Sequence, residues 1–308
     1  MRSTPRLEIV TRRTGKAEHR VDGRLVVITG ATAGIGRAAA LMLARRGAKL
    51  SLVCRNRAKG ETVVAEIERS APGASADIVE CDLADLDSVR RAAAELRERY
   101  VRIEVLINNA GVHAVAPRRA GNGFDQMLAC NYLGPFLLTN LLLERIRPAA
   151  PARILVVASE AHRLAGRLDP EDFENLGHFG WPGSFRAYGR TKLLDVLFAA
   201  ELARRLDGTG VSVNSLDPGT VATNLYGQLS ALAPIVSALS HTPLVRTAEQ
   251  GAETIVRLAS DPALEGTTGR FFTATPGLGL LPPVRARRDT RLQRRLWERT
   301  AELVGLGA

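Results

Sequence analysis

The sequence predicts an α/β fold, a doubly wound parallel sheet with helices on both faces. Short β-rich apolar runs alternate with longer amphipathic segments from residue 25 onward. The runs are apolar almost throughout, and the first of them leads through a glycine-rich turn into a helical stretch. Strands buried on both faces read as continuous apolar runs, which requires each crossover helix to return over the sheet.

The elements follow in order. The first strand is expected at Leu25 to Thr29 and the first helix from about Ile35 to Arg46. Further strands are expected at Lys49 to Val53, Ala76 to Cys81, Val105 to Asn108, Arg153 to Ser159, Val211 to Leu216 and Arg270 to Thr273, about seven in all. Helical spacing covers Arg57 to Arg69, Asp87 to Tyr100, Phe124 to Arg147, Tyr188 to Leu206 and Ala248 to Ala259. Near the C-terminus, Leu292, Leu296, Trp297 and Leu303 fit one face of an amphipathic helix, expected to dock on the core or on another subunit. No internal repeat or long polar linker divides the chain. We therefore expect one catalytic domain over residues 23–284, a basic extension at 1–22 and a basic helix or tail at 285–308.

Bulk properties exclude several classes. A chain of 308 residues with 45% hydrophobic composition can bury a sizeable core. Cys54, Cys81 and Cys130 lie in apolar runs without metal-ligand or pairing spacing, which suits a reducing compartment, and a cytoplasmic setting is the simplest expectation. No apolar stretch reaches the roughly 18 to 20 residues of a membrane span, and the polar start lacks a signal-peptide core. The formal charge is +10, but residues 1–24 and 285–308 each carry seven Lys or Arg against three acids. Those two ends hold +8 of the total, so the body is nearly neutral and a nucleic-acid surface is disfavoured.

In a doubly wound sheet the ligand crevice opens at the carboxyl ends of the strands, where the winding reverses. The informative residues do follow strands. Directly after the first strand come Gly30, Ala31, Thr32, Ala33, Gly34, Ile35 and Gly36. Glycines at such a turn let the backbone approach a pyrophosphate, and the helix start offers free N–H groups and the positive end of its dipole. A glycine turn alone also serves purely structural ends, but its place between strand and helix favours a dinucleotide site.

The G-x-x-x-G-x-G spacing, the Asn108-Asn109-Ala110-Gly111 segment and the Tyr188-x-x-x-Lys192 pair resemble the short-chain dehydrogenase/reductase family over roughly residues 23 to 275. The resemblance implies a Rossmann-type fold, a nicotinamide cofactor and hydride transfer between that cofactor and a small-molecule carbonyl or alcohol. It implies cofactor contacts from Gly30, Thr32, Ala33, Gly34, Ile35 and Gly36, and from Asp82 and Leu83 after the third strand. Asn109, Ala110 and Gly111 would line the adenosine side, while Pro218, Gly219, Val221 and Thr223 would meet the nicotinamide amide and phosphates. Cys54 stands where NAD-preferring relatives carry an acid for the ribose 2′-hydroxyl, and Arg55 and Asn56 follow. An acid repels a 2′-phosphate whereas a guanidinium grips one, so NADP(H) is expected over NAD(H).

Hydride transfer to a carbonyl needs a proton and stabilisation of the oxygen's negative charge. Tyr188 suits the first task. A phenol titrates near 10, and bringing it toward neutrality by about 2 to 3 units takes roughly 3 to 4 kcal/mol of phenolate stabilisation. Lys192, one helical turn on, places an ammonium on the same face. In relatives that lysine also holds the nicotinamide ribose. Ser159 matches the serine that orients the reacting oxygen, and Asn131 the helix asparagine that holds a water in the proton relay, often through a helix distortion.

The segment between Ser159 and Tyr188, which lie 29 positions apart, includes His162, Phe173 and Trp181 and looks like the retinol dehydrogenase and carbonyl reductase branch. His162 is expected to make a structural hydrogen bond. Residues 225–247, rich in Leu, Ala, Ser and Pro, are expected to form a substrate lid whose apolar character points to an apolar substrate. Family members are often dimers or tetramers, which leaves a homo-oligomer open. The rival reading is a catalytically silent NADP(H)-binding sensor or partner-binding module, disfavoured because all four candidate catalytic residues are intact.

Overall fold

The apolar runs become strands buried along their length: every residue of Leu25–Thr29, Val105–Asn108, Ala152–Val157 and Val211–Asp217 is buried. The computed structural model describes residues 8–9, 19–180, 182–219, 246–275 and 277–307. Its strands are β1 (Glu8–Ile9), β2 (Leu25–Thr29), β3 (Lys49–Cys54), β4 (Ala76–Glu80), β5 (Val105–Asn108), β6 (Ala152–Val157), β7 (Val211–Asp217) and β8 (Phe271–Thr273). They form one sheet in the order β1-β8-β7-β6-β5-β2-β3-β4, with every pairing parallel. The helices of eight residues or more among the described residues are α1 (Gly34–Arg45), α2 (Arg57–Ser70), α3 (Leu86–Arg99), α4 (Gly134–Ile146), α5 (Gly183–Arg205), α6 (Ala248–Ser260) and α7 (Thr290–Leu303).

Alternate residues of the strands feed two cores. Val27, Leu106 and Ile154 face α3, α4, α5 and α7, whereas Val26, Ile28, Ile107 and Leu155 face α1, α2 and α6. The chain runs outward through β2, β3 and β4, then crosses to β5 on the other side of β2. The register Ile28↔Ile107 brings the carboxyl ends of β2 and β5 level, so the turns after them meet at the reversal point.

The sequence expectations need four corrections. The sheet has an eighth strand: Glu8–Ile9, assigned to a basic extension, adds a parallel edge beside β8. Two residues carry no periodicity, so only the pairing reveals them. Val21, also placed in the extension, lies in the core at 3% exposure. The helix expected over Phe124 to Arg147 is three pieces: a turn at Gln126–Leu128, a π-helical turn at Ala129–Leu133, then α4. Helix α5 starts at Gly183, with Pro182 as its N-cap residue, ahead of the expected Tyr188; Gly183 and Ser184 are poor helix formers, so the spacing did not announce this first turn. Trp181, Val221, Thr223 and most of the expected lid at 225–247 lie outside the described residues.

Candidate active site

The cleft at the reversal point is built from the turns that follow each strand from β2 to β8, and encloses about 640 Å³. At its centre the Thr29 hydroxyl accepts the N–H groups of Asn109 and Ala110, both at 3.0 Å. Asn109 returns the grip, its side-chain amide donating to the carbonyls of Thr29 at 2.9 Å and Gly30 at 3.3 Å. Gly30 has φ +68°, and a Cβ there would sit 2.8 Å from Ala110 Cα. A Cβ on Gly36 would lie 2.4 Å from the Asn109 side chain and from the Gly30 carbonyl. Side chains at these positions would drive the two turns apart.

Helix α1 begins with no side-chain cap and no acid in its first turn, which leaves its N–H groups and positive dipole end open to the cleft. Arg55, Asn56 and Lys59 line the cleft beyond the end of β3. Asn56 caps α2 through a 2.9 Å bond from the Lys59 N–H. A bare turn, an open helix start and two cations along one cleft fit a phosphorylated dinucleotide.

At the other end, Ser159, Tyr188 and Lys192 line the same cleft. Ser159 is the N-cap of a 3₁₀ turn, Glu160–Leu164, and its hydroxyl accepts the Ala161 N–H. A Cβ on Gly189 would fall 2.5 Å from the Ala161 carbonyl, so the glycine beside Tyr188 lets α5 close onto that turn. Lys192 Nζ stands 5.7 Å from the centre of the Tyr188 ring. It donates at 2.9 Å to the carbonyl of Val157, the last residue of β6, and at 2.9 Å to Asp195 Oδ2. Burial pushes the lysine's pKa down, but Asp195, with Tyr188 behind it, more than reverses this, so it lies above its ordinary value. Burial likewise pushes the Asp195 carboxyl up to about 6 against the pull of Lys192.

Asn131 sits in the π-helical turn, 2% exposed. Its Oδ1 accepts the Val112 N–H at 2.7 Å, and its Nδ2 donates to the Val112 carbonyl at 2.9 Å and the Thr191 hydroxyl at 3.1 Å. It thus ties the turn after β5 to the helix that carries Tyr188.

A family model described as short chain dehydrogenase matches residues 24–168. Dehydrogenase/reductase SDR family member 13 of Bos taurus is 41% identical over 289 residues, covering 92% of this chain and 74% of its own length. The chain is a short-chain dehydrogenase/reductase. Retinol dehydrogenase 14 of Mus musculus is 39% identical, with 92% of this chain and 86% of that protein covered. Among solved structures, an uncharacterised protein of Mycobacterium paratuberculosis superposes with a TM-score of 0.71 at 31% identity, covering 93% of this chain and 95% of that one. A structure from Beutenbergia cavernae, described as an NAD(P)-dependent gluconate 5-dehydrogenase with bound NADP, gives 0.68 at 31% identity, over 83% and 96% of the chains.

Within this short-chain dehydrogenase/reductase the cleft brings together Gly30, Thr32, Ala33, Gly34, Ile35, Gly36, Arg55, Asn56, Leu83, Asn109, Ala110, Gly111, Ser159, Tyr188, Lys192, Pro218 and Gly219. Asn131 stands behind the wall. Asp82 is placed differently: Cys81 and Leu83 form the wall, while the Asp82 carboxylate accepts the Ala84 N–H at 2.9 Å in its own turn. His162 lies outside the cleft wall, its Nδ1–H donating at 2.7 Å to the Ser159 carbonyl.

Sequence reasoning missed four residues. His113 lines the cleft with its ring 4.9 Å from Phe185 and 5.3 Å from Tyr188, giving the catalytic end an aromatic wall. Asp217, also in the wall, accepts the Glu160 and Gly219 N–H groups and the hydroxyls of Thr273 and Thr275, joining three site loops on one carboxylate. Burial pushes its pKa up, and these donors pull against that. Asp195 pairs with Lys192. A faint signal existed for two of these: Asp217 directly precedes Pro218-Gly219, and Asp195 is three residues after Lys192 on the same helix.

Proposed function

We propose that this protein is an NADP(H)-dependent oxidoreductase that interconverts a carbonyl and an alcohol on a small, apolar substrate, with Tyr188 as the acid and base. The observation that carries the reading is the convergence of Ser159, Tyr188 and Lys192 on the cleft that also holds the bare glycine turn. When bound, the cofactor supplies or accepts the hydride at its nicotinamide carbon. Tyr188 gives its proton to the substrate oxygen in reduction and takes it back in oxidation. The ammonium of Lys192, one turn away, favours the phenolate that remains. Ser159 orients the reacting oxygen through its hydroxyl, and Asn131 holds the wall between proton donor and cofactor.

Arg55 and Lys59, lining the cleft with Cys54 where an acid would hold a ribose hydroxyl, support preference for the 2′-phosphate of NADP(H). The apolar substrate is supported by His113 and Phe185 at the catalytic end. The names of the relatives put retinaldehyde on the list of substrates to test. The three cysteines are free and buried, which fits a reducing, cytoplasmic setting, and no described helix is long and apolar enough to cross a membrane.

The test is NADPH consumption with a panel of aldehydes and ketones that includes retinaldehyde. Tyr188→Phe should bind NADPH as the parent does and lose at least about 100-fold in turnover. A folded Tyr188→Phe enzyme with full turnover overturns the reading.

A further inference from the structure

Lys192 is buried to 3% exposure, and a lone ammonium in such a seat gives up its proton readily. Among the described residues, its surroundings offer one counter-charge. Asp195, one turn along α5 and 1% exposed, places Oδ2 2.9 Å from Nζ. The other carboxylate oxygen, Oδ1, is buried and has no hydrogen-bond partner among the described residues. The hydrogen bond described for the Asp195 carboxylate is thus the one it accepts from Lys192.

The remaining groups that face the pair cannot replace it. On the π-helical turn, burial pushes the Cys130 thiol up to about 11, which keeps it neutral. Burial also raises the Tyr132 phenol, whose hydroxyl bonds to Thr300 of α7 at 2.7 Å. From β6 the pair meets only the neutral Val157 carbonyl. On α5 itself the titratable neighbour of Lys192 is Tyr188.

We propose that Asp195 is the counter-charge that keeps Lys192 an ammonium in its buried seat, so that the pair, rather than the lysine alone, sets the charge beside Tyr188. Asp195 is therefore a positioning and charge-holding residue, and the inference rests on reading Tyr188 as the acid and base.

The chain has four lysines, Lys16, Lys49, Lys59 and Lys192, so lysine-selective ¹³C NMR resolves the titration of each, with Lys192→Arg assigning the signal. In the full-length wild type, Lys192 should titrate above the other three lysines. In Asp195→Asn, which keeps a hydrogen-bond acceptor and loses the charge, it should titrate at least about two pH units lower, and Asp195→Glu should restore most of that loss. For the alcohol oxidised fastest among retinol, benzyl alcohol and cyclohexanol, the wild-type rate should rise with pH to a plateau. In the Asn variant that rise should be displaced upward by about one pH unit or more, because Tyr188 beside a neutral lysine keeps its proton to higher pH. Wild-type Lys192 titrating below the other lysines, or Lys192 unmoved in Asp195→Asn, overturns the proposal. Should Asp195→Asn not fold, the wild-type titration decides. Full turnover by Tyr188→Phe would instead remove the catalytic reading and leave the NMR result standing.

Discussion

At the scale of single residues, the cleft separates groups that hold a ligand from groups that hold the site. Arg55 is exposed at the cleft edge, so a charge-assisted contact with a 2′-phosphate is its available contribution. Losing such a contact costs about 1.5 to 3 kcal/mol, so Arg55→Ala should raise the apparent KM for NADPH by about tenfold or more and leave that for NADH nearly unchanged. Equal effects in steady-state assays with the two cofactors would remove the assignment. His162 works the other way. Burial pushes its pKa down from the ordinary 6.5 to about 4, while its Nδ1–H holds the carbonyl of Ser159. The folded state resists a proton that the unfolded chain accepts, so His162's contribution to stability is complete above about pH 6.5 and drains away as the pH falls toward about 4. The loss amounts to about 3 kcal/mol, and urea unfolding of His162→Gln across this range should show a flatter pH dependence than the wild type.

Elements carry the site through close approach. Gly189 lets α5 touch the turn that starts at Ser159, and an added methyl would meet a backbone carbonyl that has no side chain to yield. Gly189→Ala should therefore lower kcat by about tenfold or more through a shifted Tyr188, with NADPH affinity, read by fluorescence titration, held within about twofold. Helix α7 is the second case. Its Leu296 is buried in the core, and Trp297 packs at 4.8 Å from the Phe136 ring and under the Arg205 guanidinium at 4.4 Å. The amphipathic spacing announced the helix, and its docking on α4 and α5 is a finding of the structure. Leu296→Ala should cost about 3 kcal/mol in urea unfolding while leaving the KM for NADPH unchanged, because α7 lies away from the cleft.

For the whole molecule, the cleft draws its walls from turns after seven strands spread along the chain, so an occupied site ties those parts together. NADPH at about 100 times its dissociation constant should add about 2.7 kcal/mol of stability, visible as a rise in Tm, and NADH at the same concentration should add less. No shift with either cofactor would count against the dinucleotide site itself. Much of this was legible in advance, because apolar runs, glycine spacing and the Tyr188–Lys192 interval are local patterns tied to backbone geometry. The edge strand at Glu8–Ile9 was not legible, since two residues have no period. Nor were the pairing of Asp195 with Lys192, the four donors on Asp217, the aromatic neighbours of His113 and the bond that the Asp82 carboxylate accepts from Ala84 in its own turn. The sequence by itself determined the order of strands and helices, the bare turn for a phosphate and the residue types able to move a proton. Only the tertiary structure decided which charges share a buried space, because burial and counter-charge come from chain segments far apart in sequence, and these set whether a buried group keeps its proton.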